Sequence, residues 1–185
     1  MDRIVVLDFG SQTAQLIARR IREAGVFAVI MPGGRKVGEY VNSDTKGIVL
    51  SGSPYSVYGE DSPKVDPAIL ECGLPILGIC YGFHQLVMLH GGCVTAGKTS
   101  EFGRARVTFA HTRTNRNGLF SEVSDGFMSW MSHGDSVTRL PSSFDSLAGS
   151  DNFVAAAGDL DKRLFGLQFH PEVSHCEYGS TILNQ

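Results

Sequence analysis

A chain of 185 residues with 42% hydrophobic and 19% charged side chains has the make-up of one globular domain, able to bury a sizeable core without staples. Its formal net charge of −3 argues against binding to nucleic acid or to a membrane surface. No apolar run approaches the ~20 residues that span a bilayer, and the N-terminus, MDRIVVLDFG, lacks the features of a signal peptide, so a cytoplasmic location is expected.

Arg3 to Leu7 (RIVVL) predicts a buried strand, broken by Asp8-Phe9-Gly10-Ser11. Thr13 to Ala24 has helical spacing with one apolar and one basic face, and Gly25 stops it. The basic cluster Arg19, Arg20 and Arg22 reads as a solvated helix face. Val26 to Met31 predicts a second strand, turned by Pro32-Gly33-Gly34, and Gly47 to Leu50 a third. A long loop runs from Ser51 to Pro67. Pro75 to Ile79 predicts a fourth strand and Tyr81 to Leu89 a helix closed by Gly91-Gly92. Beyond residue 92, Arg104 to Phe109, Phe127 to Met131, Phe153 to Ala157 and Leu164 to Phe169 predict antiparallel additions and a closing strand. The pattern is that of one α/β domain over residues 1–185. It predicts an open, mostly parallel sheet with helices on both faces and antiparallel additions in the C-terminal half.

The four cysteines are Cys72, Cys80, Cys93 and Cys176. None forms a C-x-x-C pair, and all four are expected as free thiols. Cys80 stands apart. It sits in Gly78-Ile79-Cys80-Tyr81-Gly82, a strand, a G-x-C-x-G turn and then a helix: the cysteine counterpart of a nucleophile elbow. The flanking glycines permit a sharp bend and close helix packing. The turn leaves Cys80 at the carboxyl end of a strand and at a helix N-terminus, where thiolate is favoured over thiol. A buried cysteine in a glycine-rich turn is the bland alternative.

A nucleophilic cysteine needs a base, and Gln168-Phe169-His170-Pro171-Glu172 offers one. His170 ends a strand-like run, and Glu172 can fix its tautomer. Alone, His-Pro-Glu is an ordinary turn; with the elbow it completes a Cys80, His170, Glu172 triad. An oxyanion hole is expected from the amide of Tyr81 and from the loop holding Gly52 and Ser53.

GICYG, FHPEV and LSGSP together resemble the class I glutamine amidotransferases, and within them the glutaminase domains of GMP synthetases. Supporting segments are VLDFGSQ (Val6–Gln12), SGSPYSVYGEDSP (Ser51–Pro63), EFGRA (Glu101–Ala105), WMSHGD (Trp130–Asp135) and GLQFHPEVSH (Gly166–His175). The resemblance covers nearly the whole chain. It implies a flavodoxin-like fold and a catalytic Cys80, His170 and Glu172. It also implies oxyanion donors at Gly52, Ser53 and Tyr81, and glutamine binding at Ser132 and His133, largely through backbone groups. It implies no cofactor or metal in this domain. Ammonia would pass to an ATP-pyrophosphatase (synthetase) module, using ATP and Mg, that converts XMP to GMP. No S-G-G-x-D-S pyrophosphate loop occurs in the chain, which is therefore expected to be either an excised domain or a separate subunit.

Two positions depart from the family pattern. Ser53 stands where the loop usually reads S-G-G-P, and a serine resists positive φ and adds a side chain near the oxyanion. His84 stands where the helix usually carries a substrate-touching glutamine. Gln85 comes one residue late, about 100° around the helix, so His84 is the candidate replacement. These departures keep open an inactive or weakly active regulatory module of the same fold. A different cysteine hydrolase and a metal site drawn from Cys80, His84, His170, His175 and Cys176 are further alternatives. The metal spacing is poor, and His175 and Cys176 read as surface turn residues. His90 and His111 carry no functional signal.

Overall fold

The computed structural model describes residues 1–110, 118–151 and 153–185. The elements run β1 (Arg3–Asp8), α1 (Ala14–Glu23), β2 (Phe27–Pro32), α2 (Val37–Tyr40), β3 (Thr45–Leu50), a 3₁₀ turn (Pro67–Glu71), β4 (Ile76–Ile79) and α3 (Tyr81–Leu89). There follow β5 (Cys93–Phe109), β6 (Phe127–Arg139), β7 (Asp145–Ser150), β8 (Phe153–Asp159), β9 (Leu164–Leu167) and α4 (Gly179–Asn184).

The strands form one sheet in the order β2-β1-β3-β4-β9-β8-β7-β5-β6. The first five are parallel neighbours, and the remaining pairings are antiparallel. The parallel core has the 2-1-3-4-5 order of flavodoxin-like sheets, with β9 in fifth place. The mostly parallel central sheet with antiparallel additions is as the sequence predicts.

Strand alternation places a helix on each face. Val6 packs with Ile17, Ala18 and Ile21 of α1, while Val5 and Leu7 pack with Phe83, Leu86 and Val87 of α3. A third cluster, around Phe127, Met131, Leu147 and Phe169, fills the antiparallel half. Gly25 stops α1 with φ +82°. Among the described residues no helix is long and apolar enough to cross a membrane.

The structure corrects the sequence expectations in three places. Arg104 to Phe109 and Phe127 to Met131 are only parts of the long strands β5 and β6. In β6 the buried positions run Phe127, Ser129, Met131 and His133, so the period of two continues through polar side chains that a search for apolar residues does not register. Strand β7 and the helices α2 and α4 were not predicted; β7 offers only Leu147 and Ala148 as apolar residues. The basic cluster is not simply solvated. Arg22 donates to Ala28 O at 2.8 Å, and Arg20 Nε donates to Glu172 O at 3.2 Å.

Candidate active site

Three loops meet at the carboxyl ends of β1, β3 and β4, the position at which open α/β sheets place their ligands. The β4–α3 turn carries Cys80, with φ 51° and ψ −103°. A non-glycine residue held there stores roughly 1–3 kcal/mol of strain. The flanking glycines make the turn possible. A Cβ on Gly78 would lie 2.6 Å from backbone atoms of Gly82 and Phe83, and one on Gly82 would lie 2.4 Å from Leu50 O. The bend is pinned by Cys80 N donating to Leu167 O at 2.7 Å and Gly82 N to Ser51 O at 3.1 Å. Cys80 is 4% exposed, at the N-terminus of α3.

His170 follows β9, its amide donating to Trp130 O at 3.1 Å. Its Nδ1–H donates to Glu172 Oε1 at 2.8 Å. Glu172 is fully buried, and its Oε2 has no hydrogen-bond partner among the described residues. Burial alone would lower the His170 pKa. The hydrogen bonds and negative charge offered by Cys80 and Glu172 outweigh burial and raise it to about 10. The neighbours of the ring thus favour its protonated form.

Gly52 shows how closely these parts converge. A Cβ there would sit 3.2 Å from His170 Cε1 and 3.9 Å from Cys80 Cβ. Ser53 corrects an expectation, because it is not among the residues with positive φ. Its Oγ donates to Phe9 O at 2.8 Å and accepts from Tyr55 N at 3.2 Å, so it braces the loop against the turn after β1. Asp8 Oδ1 organises that turn by accepting from the amides of Gly10 and Ser11. Ser53→Gly is therefore expected to lower stability by about 1 kcal/mol, the usual net value of one hydrogen bond. Denaturant melts of the two proteins check this.

Tyr81 is buried, with its hydroxyl donating to Pro63 O at 2.6 Å. Its amide lies in the first turn of α3, where a helix supplies no acceptor.

A cavity of about 510 Å³ opens beside Cys80, lined among others by Gln12, Ser53, His84, Ser132 and His170. Ser132 O faces the sulfur, 3.6 Å from Cys80 Sγ. The His133 ring is turned to structural partners: Nδ1 lies 2.9 Å from Asp135 O, Nε2 lies 3.4 Å from Glu101 Oε2, and the ring meets Phe153 edge-on. The ring is thus engaged by its own surroundings, while Ser132 O lines the cavity beside the sulfur. His84 is buried in the cavity wall, its Nε2 2.8 Å from Gln168 Oε1. Burial lowers its pKa to about 4, so the ring is neutral. Gln85 faces elsewhere and accepts from Val65 N at 3.2 Å.

Among the described residues, the other cysteines and histidines do not line this cavity. Cys176 is not a surface residue as expected. It is buried against Ser129 Oγ at 3.2 Å, and burial pushes its thiol up to about 11. His175 is exposed and stacks on Trp130. His90 Nδ1 caps its own helix on Leu86 O at 2.9 Å, and His111 lies outside the described residues. Among the described residues no group of three or more His, Cys, Asp or Glu is arranged to hold a metal ion.

Sequence reasoning missed Gln168, the exposed Phe102 at the cavity rim, and Arg20. A signal existed for Gln168: it stands two residues before His170, hence on the same side of an extended chain.

A family model for glutamine amidotransferase class-I matches residues 5–185. The chain is similar to the GMP synthase (glutamine-hydrolysing) of Borreliella burgdorferi (strain N40), 44% identical over 97% of this chain and 35% of that protein. It is also similar to that of Prochlorococcus marinus (strain MIT 9215), 47% identical over 97% of this chain and 34% of that protein. It thus spans about a third of the length of these curated relatives. Among solved structures, a candidate GMP synthase subunit from Thermoplasma acidophilum superposes with a TM-score of 0.80 and 28% identity, covering 98% of this chain and 90% of that one.

Proposed function

Since the chain belongs to the class I glutamine amidotransferase family, we propose that it hydrolyses glutamine to glutamate and ammonia through a glutamyl thioester on Cys80. The observation that carries this reading is Cys80 on its strained elbow beside the buried His170–Glu172 pair. The Cys80 thiolate attacks the carboxamide carbon while the amides of Tyr81 and of Gly52 or Ser53 hold the developing oxyanion. The His170 imidazolium then gives its proton to the leaving nitrogen. The C–N bond breaks, and ammonia departs. Water, deprotonated by His170, attacks the thioester; the C–S bond breaks, releasing glutamate and restoring the resting pair. Glu172 holds the imidazole tautomer throughout. Ser132 and His133 present backbone groups to the substrate, and His84 shapes the cavity wall.

The names of the similar proteins support a further step. Ammonia passes to an ATP-dependent synthetase module, in the same full-length protein or a separate subunit, which converts XMP to GMP. Residues 1–185 then form the glutaminase domain of a cytoplasmic purine-biosynthetic enzyme. They need no cofactor of their own, ATP and Mg belonging to the partner. The rival reading, an inactive module, rested on Ser53 and His84. Its first support is weakened by the unstrained geometry of Ser53.

The test is intact-mass analysis after a glutamine-analogue electrophile. One adduct, mapped to Cys80, is expected, with Cys176 labelled last because burial holds its thiol protonated. An unmodified protein, or equal labelling of all four cysteines, would overturn the assignment.

A further inference from the structure

We propose that Gln168 is a positioning residue for the Cys80 sulfur, and that His84 locks the Gln168 carboxamide in the orientation this requires. The inference rests on Cys80 as the nucleophile and adds two groups to that reaction.

Gln168 lies just beyond β9, 1% exposed, with its amide donating to Ala155 O at 2.8 Å. Its side chain bridges two elements: Nε2 lies 3.8 Å from Cys80 Sγ, and Oε1 lies 2.8 Å from His84 Nε2. A carboxamide has a donor end and an acceptor end, and its neighbours decide which way round it sits. Here His84 decides. The ring is neutral, as its burial dictates, and Nε2 carries the proton because the facing Gln168 oxygen can only accept. With the oxygen held by His84, the NH₂ group is turned to the sulfur.

The sulfur has a second contact of opposite sense. Ser132 O, at 3.6 Å, accepts from the thiol and so favours the protonated form. An N–H from Gln168 favours the thiolate. The titratable groups around the sulfur are His170 beyond β9, with Glu172 behind it, His84 from α3, and His133 and Asp135 from β6, both of which act on His84. Gln168 does not titrate, so its effect on the sulfur is separable from theirs.

The experiment is alkylation of Cys80 by iodoacetamide in the full chain, read by mass spectrometry as a function of pH, with thermal melts to confirm folding. Gln168→Met is expected to move the profile about one pH unit towards alkali, roughly tenfold slower labelling on its acidic limb, as loss of a hydrogen bond to a charged group implies. Gln168→Glu, nearly isosteric, is expected to move it further, and it carries the test should the Met variant not fold. His84→Leu is expected to reproduce part of the shift and to add nothing on top of Gln168→Met, while His84→Gln, which keeps a donor, restores the wild-type profile. Unmoved profiles in both Gln168 variants, or independent addition of the two sites, overturn the proposal and leave the nucleophile assignment standing. If wild-type Cys80 is not labelled ahead of the other cysteines, both fall.

Discussion

Cys80→Ala is expected to abolish glutamine-dependent product formation while leaving ammonium-dependent formation intact, when the chain is combined with a matching ATP-pyrophosphatase subunit, ATP and XMP. In the proposed reaction the sulfur forms the covalent bond, and no other thiol among the described residues lines the cavity. Cys176 is buried against Ser129 in the antiparallel half, and Cys72 and Cys93 do not line the cavity. Loss should therefore exceed the ~10²–10⁴-fold typical of removing a general base. Ammonium salts bypass the thioester altogether, so the synthetase reaction persists. Loss of both activities would show that Cys80 supports the assembly and not ammonia supply. The same system tests whether the partner switches the glutaminase on, with coupling of about 1–3 kcal/mol usual for binding and larger effects allowed on rate. The 51–67 loop offers a physical route. Val57 N donates to Asp135 Oδ2 at 3.3 Å, and the Tyr58 hydroxyl donates to Val94 O, so this rim of the cavity is tied to β5 and β6.

The parallel half of the fold was legible because β1, β2 and β3 carry apolar runs rich in Val and Ile and its turns carry glycines with steric work to do. The predicted helix Tyr81–Leu89 matches α3 in both bounds. The antiparallel half was less legible. Strand β6 buries Ser129 and His133 alongside Phe127 and Met131, and polar residues that find partners inside a protein look in sequence like a loop. The chemistry followed the same division. Cys80 and His170 announced themselves by spacing and turn chemistry, since an elbow and a stiff His-Pro-Glu leave few local conformations. The departures were harder to read. Ser53 resembled a strained substitution until its hydroxyl was placed on Phe9 O, 44 residues away in sequence. His84 reads in sequence as a substrate contact, and the fold adds a second partner, Gln168, 84 residues away, at its Nε2. Both depend on partners that only the fold brings near.

His170→Ala and Glu172→Gln should separate the base from the group that holds it. His170→Ala removes the proton carrier for both thioester formation and its hydrolysis, and a fall of about 10²–10⁴-fold in turnover is expected. Glu172→Gln keeps the size of the buried side chain but offers His170 Nδ1–H a neutral partner at a site where Oε1 now accepts at 2.8 Å. Part of the ring population then takes the wrong tautomer, and turnover falls, though less than on loss of the ring itself. The charge change also has a stability signature. His170 in the folded protein titrates at about 10 against an ordinary 6.5, so its protonated state stabilises the fold. That stabilisation is full below pH 6.5, declines as pH rises, and is lost through about 10. Removing the Glu172 charge lowers the folded-state value and with it this contribution. Melts of the two proteins should therefore differ most in mildly acidic buffer and converge as the medium becomes alkaline. A gap that stayed flat from mildly acidic to alkaline buffer would mean that His170 is already neutral in the folded protein.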